Sequence, residues 1–221
     1  MNQEIIHVYL MPGMAASPKI FEYIKLPEER FAVHYLEWII PTDNESLEAY
    51  AVRISSNIKY SNCVLIGVSF GGVLVQEISK HIKYRKLIII SSVKTMHELP
   101  KRMLLAKVTK AYKLLPTKLA TNIDAFAKYA FGSNVKKRLE LYKRYLSVSD
   151  SKYLDWAIEQ MVNWNQETII PNIIHVHGEN DAVFPIKNIE NCITIKNGTH
   201  IMIINKYKWF NEQLPDIILS D

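Results

Sequence analysis

The sequence LIGVSFGGV, residues 65–73, decides the fold of this chain. An apolar and largely β-branched run begins at Cys63 and predicts a buried strand, and the residues after it predict a helix that reaches about His81. Ser69 lies between the two, with a glycine two residues away on either side. A sharp strand-to-helix turn strains the backbone at the serine, and the glycines remove side chains that would collide there. The pattern therefore predicts an exposed hydroxyl at a helix N-terminus, where free N–H groups favour negative charge.

Strands and helices alternate over the first 91 residues. The apolar runs that predict strands are continuous, which is typical of a parallel sheet covered on both faces. The predicted strands in this part of the chain are 4–10, 31–36, 63–67 and 86–91. The predicted helices are a short one at 20–24 and longer ones at 44–58 and 70–81. These elements indicate an α/β fold in which the turn at Ser69 joins the third strand to its helix.

The alternation stops after the fourth strand. Apolar residues then recur at helical spacing in the segments 102–114, 122–131, 135–147 and 151–164. Strands are predicted again at 172–177 and 192–195, and a last amphipathic helix at 202–214. We therefore expect an α/β core made of residues 1–92 and 166–221, with a helical cap inserted at 93–165. The apolar residues expected to line the cap interior are Met103, Leu104, Leu105, Tyr112 and Trp156.

Two further polar residues follow the last two predicted strands. Asp181 lies in HGENDAVFP, residues 177–185, and His200 ends NGTH, residues 197–200. Because the carboxyl ends of parallel strands open on one edge of a sheet, both residues can meet Ser69 there. A serine needs an adjacent base to act as a nucleophile, and the base needs an orienting acid. The turn at Ser69 alone is also compatible with simple close packing, so these two residues carry much of the argument.

Taken together, the three motifs resemble those of the α/β-hydrolase fold superfamily. GVSFGG (67–72) is similar to its nucleophile elbow, H-G-x-x-D-x-x-x-P (177–185) to its acid loop, and G-T-H (198–200) to its histidine loop. The resemblance covers nearly the whole chain and implies about six parallel strands with helices on both faces and a helical cap after the fourth strand. The chain departs from the pattern at residues 11–13, where Met-Pro-Gly stands in place of the His-Gly of many relatives.

The resemblance also implies a role for each site residue. Ser69 would be the nucleophile, His200 the general base and then acid, and Asp181 the group that orients the imidazole. The backbone N–H groups of Phe70 and Met14 would form the oxyanion hole. No metal and no organic cofactor are expected.

We expect a serine hydrolase that cleaves a carboxylic ester or thioester of a small molecule. A C–C hydrolase, a lyase or an acyltransferase on the same triad stays open as an alternative, as does a non-catalytic ligand receptor of the same fold. No oligomeric state is predicted.

Three other side chains near the predicted sheet edge are candidates for a role. His175 and His177 form an H-x-H pair that, with Asp181, has the residue types of a metal site. Within a strand the two histidines share one face of a sheet and more often pack there. Glu98, after the fourth strand, is an alternative acid, although it lies farther along its loop than Asp181 does.

Positive charge is concentrated in the predicted cap. Residues 93–145 contain thirteen basic and three acidic side chains, whereas the whole chain has a net charge of only +5. A solvated helix face explains such charge, and so does attraction of an anionic substrate, carrier or membrane surface. No nucleic-acid recognition motif accompanies it, so a nucleic-acid partner is not expected. The basic residues are Lys94, Lys101, Arg102, Lys107, Lys110, Lys113, Lys118, Lys128, Lys136, Lys137, Arg138, Lys143 and Arg144.

The composition is that of an ordinary globular protein. Of 221 residues, 48% are hydrophobic and 22% charged, which suits one domain with an insertion. The N-terminus lacks the basic region of a signal peptide, and no apolar run approaches the roughly 20 residues that span a bilayer. Cys63 and Cys192 begin separate predicted strands, so we expect two buried, reduced thiols and a cytoplasmic protein.

Overall fold

A computed structural model describes residues 4–115, 117, 144, 145 and 148–220. They contain a six-stranded sheet in the order β2-β1-β3-β4-β5-β6, and every neighbouring pair of strands is parallel. The strands are β1 (Ile6–Met11), β2 (Phe31–Tyr35), β3 (Cys63–Val68), β4 (Tyr84–Ile90), β5 (Ile174–Gly178) and β6 (Ile193–Ile195). The prediction of a parallel α/β sheet of six strands is confirmed.

Helices cover both faces of this sheet. Alternate residues of the central strands point to opposite faces, so Leu65 packs with one apolar cluster and Ile66 with the other. The first cluster joins the sheet to α1, α2 and α4, and the second joins it to α6. The α-helices are α1 (Leu47–Ser55), α2 (Phe70–Ser79), α3 (Lys101–Thr109), α4 (Ser151–Asn163), α5 (Met202–Asn205) and α6 (Tyr207–Leu219).

Side-chain caps define where two of these helices begin. The Ser46 side chain accepts a hydrogen bond of 3.1 Å from the N–H of Ala49, and α1 starts at the next residue. Asp150 caps α4 in the same way, accepting from the N–H of Tyr153 at 2.9 Å. Short 3₁₀ helices occur at Pro18–Phe21, Met96–Glu98, Ala111–Leu114 and Ile186–Asn188.

The predicted helix at 102–114 is interrupted. Lys110 adopts a left-handed conformation with φ of 55°, so α3 ends before it and a 3₁₀ helix follows. Met103 and Leu104 pack against the core and Trp156 is buried in it, but the Leu105 side chain is 64% exposed. The prediction that Leu105 lines the cap interior is therefore wrong, because the residue lies on the outer side of α3. Tyr112 is half-buried.

The division into core and cap stays a prediction. The predicted helices 122–131 and 135–147 lie wholly or largely outside the described residues. The last predicted helix, 202–214, is two helices separated at Lys206, and the second runs five residues beyond the predicted end, to Leu219.

Both cysteines are free thiols. Cys63 is buried in the third strand, as expected, but Cys192 is only half-buried. The expectation of burial is wrong at Cys192 because this residue precedes β6, which forms the edge of the sheet. Within the described part of the chain, every helix is too short or too polar to cross a membrane.

Candidate active site

The turn after β3 places the Ser69 side chain at the carboxyl edge of the sheet. Ser69 has φ of 54°, a conformation that residues with a side chain rarely adopt, and its N–H donates to the carbonyl of Ile90 at 2.9 Å. The chain packs very closely here: a Cβ atom on Gly67 would lie 2.3 Å from the carbonyl oxygen of Gly71. A Cβ atom on Gly71 would lie 2.2 Å from the oxygen of Pro12. Both glycines are therefore required by close backbone approach.

The structure brings Ser69, His200 and Asp181 together from the ends of three strands. His200 Nε2 lies 2.9 Å from Ser69 Oγ, and His200 Nδ1 lies 2.9 Å from Asp181 Oδ2. The Asp181 side chain is fully buried, whereas that of His200 is 18% exposed. An ionised carboxylate only accepts hydrogen bonds, so Nδ1 of the imidazole carries the proton. Nε2 is then an acceptor, and the Ser69 hydroxyl donates to it.

The charge state of Asp181 follows from its surroundings. Burial by itself would raise the pKa of this carboxyl, but the hydrogen bond and charge of His200 and the N–H of Phe184 lower the pKa by more. The net effect is a pKa below the usual range, so the group is a carboxylate at neutral pH. A buried carboxylate in contact with an imidazole can stabilise the positive charge that the ring would carry after accepting a proton.

The loop that carries Asp181 packs directly on the loop that carries His200. Asn180 N–H donates to the carbonyl of Gly198 at 2.7 Å, and Asn197 N–H donates to Glu179 Oε2 at 2.9 Å. A Cβ atom on Gly178 would lie 2.6 Å from the oxygen of Gly198. These contacts join the two loops and so help to set the separation of Asp181 and His200.

The N–H of Phe70 is aimed by contacts of the preceding carbonyl. Ser69 O accepts from Gly72 N at 2.9 Å and from Ser92 Oγ at 2.7 Å. In a planar trans peptide the C=O and N–H groups point in opposite directions, so holding the oxygen also orients the N–H of Phe70. Among the described residues, this N–H has no acceptor, which leaves it available to a ligand at Ser69.

The peptide before Met14 is held in the same manner. Gly13 O accepts from Trp38 Nε1 at 2.8 Å and from Ala16 N at 3.0 Å, and the N–H of Met14 points the opposite way. A Cβ atom on Gly13 would lie 3.3 Å from Cβ of Ser69, so this loop runs close beside the serine. No described group accepts from the Met14 N–H. Trp38 and Ser92 were not identified from the sequence, since no local motif marks a residue that supports another peptide.

His175 and His177 bind each other, and His177 also lies beside Asp181, with its Nε2 atom 3.6 Å from Oδ2. His175 Nε2 lies 3.0 Å from His177 Nδ1, and His177 Nε2 lies 2.8 Å from the carbonyl of Phe184. A carbonyl only accepts, so His177 donates from Nε2 and accepts from His175 at Nδ1. Burial lowers the pKa of both imidazoles, that of His175 well below its usual range. Within the described residues, no group of three or more possible ligands is arranged to hold a metal ion.

Glu98, the alternative acid, belongs to a separate buried ion pair. Its Oε2 accepts from the N–H of Lys94 at 2.6 Å, and its Oε1 lies 3.2 Å from Lys94 Nζ. Lys94 Nζ also donates to the carbonyl of Glu190. Glu98 is therefore committed away from His200, and Lys94 is not part of a solvated cap surface. Lys94 is among the basic residues counted in the predicted cap, and the sequence could not identify this ion pair because the contact with residue 190 is long-range.

A polar cleft of about 720 Å³ lies apart from these residues. It is lined by residues 41–46 and by one face of α4, and none of Ser69, Asp181 or His200 contributes to it. The cleft is therefore separate from the site at Ser69.

Solved structures with the same architecture cover almost the whole chain. An esterase from Exiguobacterium antarcticum matches 100% of this chain and 94% of its own, with a TM-score of 0.69 and 19% identity. The enol-lactonase from Burkholderia xenovorans LB400 matches 98% and 92%, with a TM-score of 0.68 and 12% identity. The chain has the α/β-hydrolase fold. A bromoperoxidase from Bacillus anthracis also matches, over 100% of this chain and 94% of its own, with a TM-score of 0.68 and 17% identity.

The sequence comparisons, in contrast, found no match. No protein-family model matches this α/β-hydrolase-fold chain, and no curated protein is similar to it in sequence.

Proposed function

We propose that the protein is a serine hydrolase that cleaves a carboxylic ester or thioester through an acyl-enzyme on Ser69. The observation that carries the proposal is the continuous pair of 2.9 Å contacts from Ser69 Oγ to His200 and from His200 to Asp181. The lowered pKa of Asp181 supports it, because only a carboxylate holds the imidazole in the tautomer that accepts a proton from the serine.

Acylation begins when Ser69 Oγ attacks the carbonyl carbon of the substrate. The Oγ–H proton passes to His200 Nε2, and the carbonyl electrons move to oxygen. The N–H groups of Phe70 and Met14 stabilise that oxyanion in this proposal, since both are held in place and lack described acceptors. When the tetrahedral intermediate collapses, His200 returns the proton to the departing alcohol or thiol.

Deacylation repeats these steps with water as the nucleophile. His200 Nε2 takes a proton from water while the water oxygen attacks the acyl carbon, and the proton then passes to Ser69 Oγ as the carboxylic acid leaves. The enzyme returns to its starting state without a change in redox state. Asp181 stays ionised throughout and balances the positive charge of the imidazolium.

Other activities on the same residues stay open because the fold does not decide the chemistry. The neighbours above are described as an esterase, an enol-lactonase and a bromoperoxidase, yet they share this architecture. A C–C hydrolase, a lyase, an acyltransferase or a ligand receptor would retain the same fold. The hydrogen bond between Ser69 and His200 favours an enzyme over a ligand receptor, and we favour ester or thioester hydrolysis because the neighbours include an esterase and an enol-lactonase.

An anionic substrate is a second part of the proposal. Lys107 and Lys110 are among the cap cations, and neither has an ion-pair partner among the described residues; Lys113 lies 3.3 Å from Glu159. Uncompensated positive charge near a site raises the association rate of anions. Six of the basic residues counted in the predicted cap lie outside the described part of the chain: Lys118, Lys128, Lys136, Lys137, Arg138 and Lys143.

We also propose the cytoplasm as the location of the protein. Both thiols are free and Cys192 is only half-buried, which suits a reducing compartment.

Covalent labelling tests the nucleophile. A fluorophosphonate should react with the folded protein, and mass spectrometry of the digest should locate the adduct on Ser69. Protein unfolded in urea should not be labelled, because the reaction needs the base next to the serine. An adduct on another residue, or none, would contradict the proposal and favour a ligand receptor.

A substrate panel then separates the chemistries. Hydrolysis of p-nitrophenyl esters of increasing chain length, measured beside acyl-CoA thioesters, identifies the acyl group and the leaving group. Release of free acid supports hydrolysis, whereas transfer of the acyl group to an added alcohol at the expense of free acid supports an acyltransferase. A labelled protein that turns over no ester or thioester would require C–C bond or lyase chemistry.

A further inference from the structure

Two consecutive peptide groups hold the carboxylate of Asp181. The N–H groups of Val183 and Phe184 donate to Asp181 Oδ1 at 2.8 and 2.9 Å. The other oxygen, Oδ2, lies 2.9 Å from His200 Nδ1 and 3.6 Å from His177 Nε2. The direction of these two N–H groups therefore decides how the carboxylate faces the imidazole.

Arg102 of α3 binds the opposite side of the same two peptides. Its Nη2 atom donates to the carbonyl of Ala182 at 2.9 Å and to that of Val183 at 2.6 Å. The C=O of Ala182 and the N–H of Val183 belong to one planar unit, and the C=O of Val183 and the N–H of Phe184 belong to the next. Fixing the two oxygens therefore fixes the two N–H groups that point at Asp181.

We propose that Arg102 is a positioning residue for the catalytic acid. It touches neither Ser69 nor His200, and it acts on Asp181 through the two peptides between them. A cation bound to the carbonyl oxygen polarises each peptide group. The hydrogen bond that the N–H of that peptide donates to Asp181 is then stronger. Within the described residues, no other donor reaches the carbonyl of Ala182 or Val183. The inference rests on the proposed function, since it concerns the acid of that triad.

The competing explanation is that Arg102 only attaches α3 to the core. None of the residues of α3 is buried, so the helix has few apolar contacts to hold it. An attachment role would affect the melting temperature and leave the reactivity of Ser69 unchanged. A positioning role would lower reactivity even where the protein remains folded. The reactivity of Ser69, measured beside the melting temperature, therefore distinguishes the two roles.

The adjacent residue supplies a matched control. Lys101 is in the same turn of α3, carries the same charge and is exposed, with no polar side-chain partner among the described residues. Arg102→Met keeps most of the hydrocarbon stem and removes the donors, and Lys101→Met makes the equivalent change beside it. Arg102→Lys tests rescue, because both bonds come from one nitrogen atom and an ammonium group has three donors.

The measurements are the rate of fluorophosphonate labelling and kcat and KM for a neutral ester. For Arg102→Met we expect labelling and kcat to fall about tenfold with KM unchanged, the scale set by one hydrogen bond to a charged group. Lys101→Met should match the wild type, and Arg102→Lys should recover part of the loss. The low-field proton resonance of His200 Nδ1 should weaken in Arg102→Met alone, because the Asp181 carboxylate is no longer held toward the imidazole.

Equal labelling and kcat in Arg102→Met and Lys101→Met would overturn the inference, whatever the melting temperature. If Arg102→Met does not fold, Arg102→Gln, which keeps a polar end but not the reach, replaces it in the same comparison. Failure of the proposed function is distinguishable: the wild-type protein itself would then not be labelled at Ser69. Wild-type labelling with an unaffected Arg102→Met variant would contradict the positioning role only.

Discussion

Two neighbouring strands of this protein are each followed by a serine with a positive φ. Ser69 follows β3 with φ of 54°, and Ser91 follows β4 with φ of 48°. The N–H of Ser69 donates to the carbonyl of Ile90 at 2.9 Å, and that of Ser91 donates to the carbonyl of Val176 at 3.0 Å. Each serine is thus anchored to the strand beside it at the carboxyl edge of the sheet.

Their side chains have opposite surroundings. Ser69 is half-buried and its Oγ is bound to His200, whereas Ser91 is fully buried and its Oγ has no partner among the described residues. A strained backbone at a strand end therefore does not by itself make a nucleophile. Reactivity in this proposal comes from the loop that brings a base to Ser69 and from the access that Ser91 lacks.

The largest expected effect comes from exchanging each serine for alanine. Ser69→Ala should lower kcat by about 10⁴ to 10⁶, because loss of one member of such a triad removes the whole unit. Ser91→Ala keeps the Cβ atom and loses only an unpaired hydroxyl, so we expect activity within about twofold of wild type. Ester hydrolysis and thermal melting of both variants are the measurements. More than a tenth of wild-type activity in Ser69→Ala would remove the distinction between the two serines.

A smaller effect should appear in the pH dependence of stability, through the buried side chain of His175. Burial lowers the pKa of His175, which precedes the residue that anchors Ser91. Below the ordinary pKa of about 6.5, the unfolded chain binds a proton that the folded protein excludes, so the free energy of unfolding should decrease as pH falls. One such proton contributes at most about 1.4 kcal/mol per pH unit.

His175→Gln keeps an N–H donor for His177 and does not titrate, so it should reduce that slope between pH 6.5 and 5. Urea unfolding across this range measures it. The matched control is His97→Gln, which makes the same substitution at an exposed histidine. An identical slope in His175→Gln and wild type would mean that the folded protein tolerates a protonated His175.

The smallest effect concerns the basic residues of the predicted cap. If the cap cations attract an anionic substrate, kcat/KM for an acyl-CoA should fall with salt, because the Debye length shortens from about 10 Å at 0.1 M to about 3 Å at 1 M. Charge reversal at Lys107 and Lys110 should lower the same constant about threefold to tenfold at low salt. Lys113 is left out because it is paired with Glu159.

A neutral ester is the control in this experiment, and its kcat/KM should change little with salt or with either reversal. Equal salt slopes for the neutral and anionic substrates would show that the lysines only solvate a helix face. The surroundings of Ser69 would then differ from those of Ser91 in the nearby base and in access, and not in charge.

Local patterns in the sequence carried much of the fold and of the candidate site. The glycines around Ser69 and the continuous apolar strands are short-range signals, and they predicted the turn, the parallel sheet and three residues that the structure brings together. Helix ends and side-chain exposure were less predictable: Lys110 interrupts a helix that the apolar spacing alone extends, and Leu105 faces outward.

By itself, the sequence determined where each strand ends to within about one residue, because strand and turn propensities act over a few neighbours. Only the tertiary structure decided what each of those residues contacts. Lys94 and Glu98 form a buried pair completed by the carbonyl of Glu190, and Arg102 reaches the peptides beside Asp181 from a helix about 80 positions earlier. Such contacts depend on how distant elements pack, since a side chain's partner is chosen by distance in space and not by spacing along the chain.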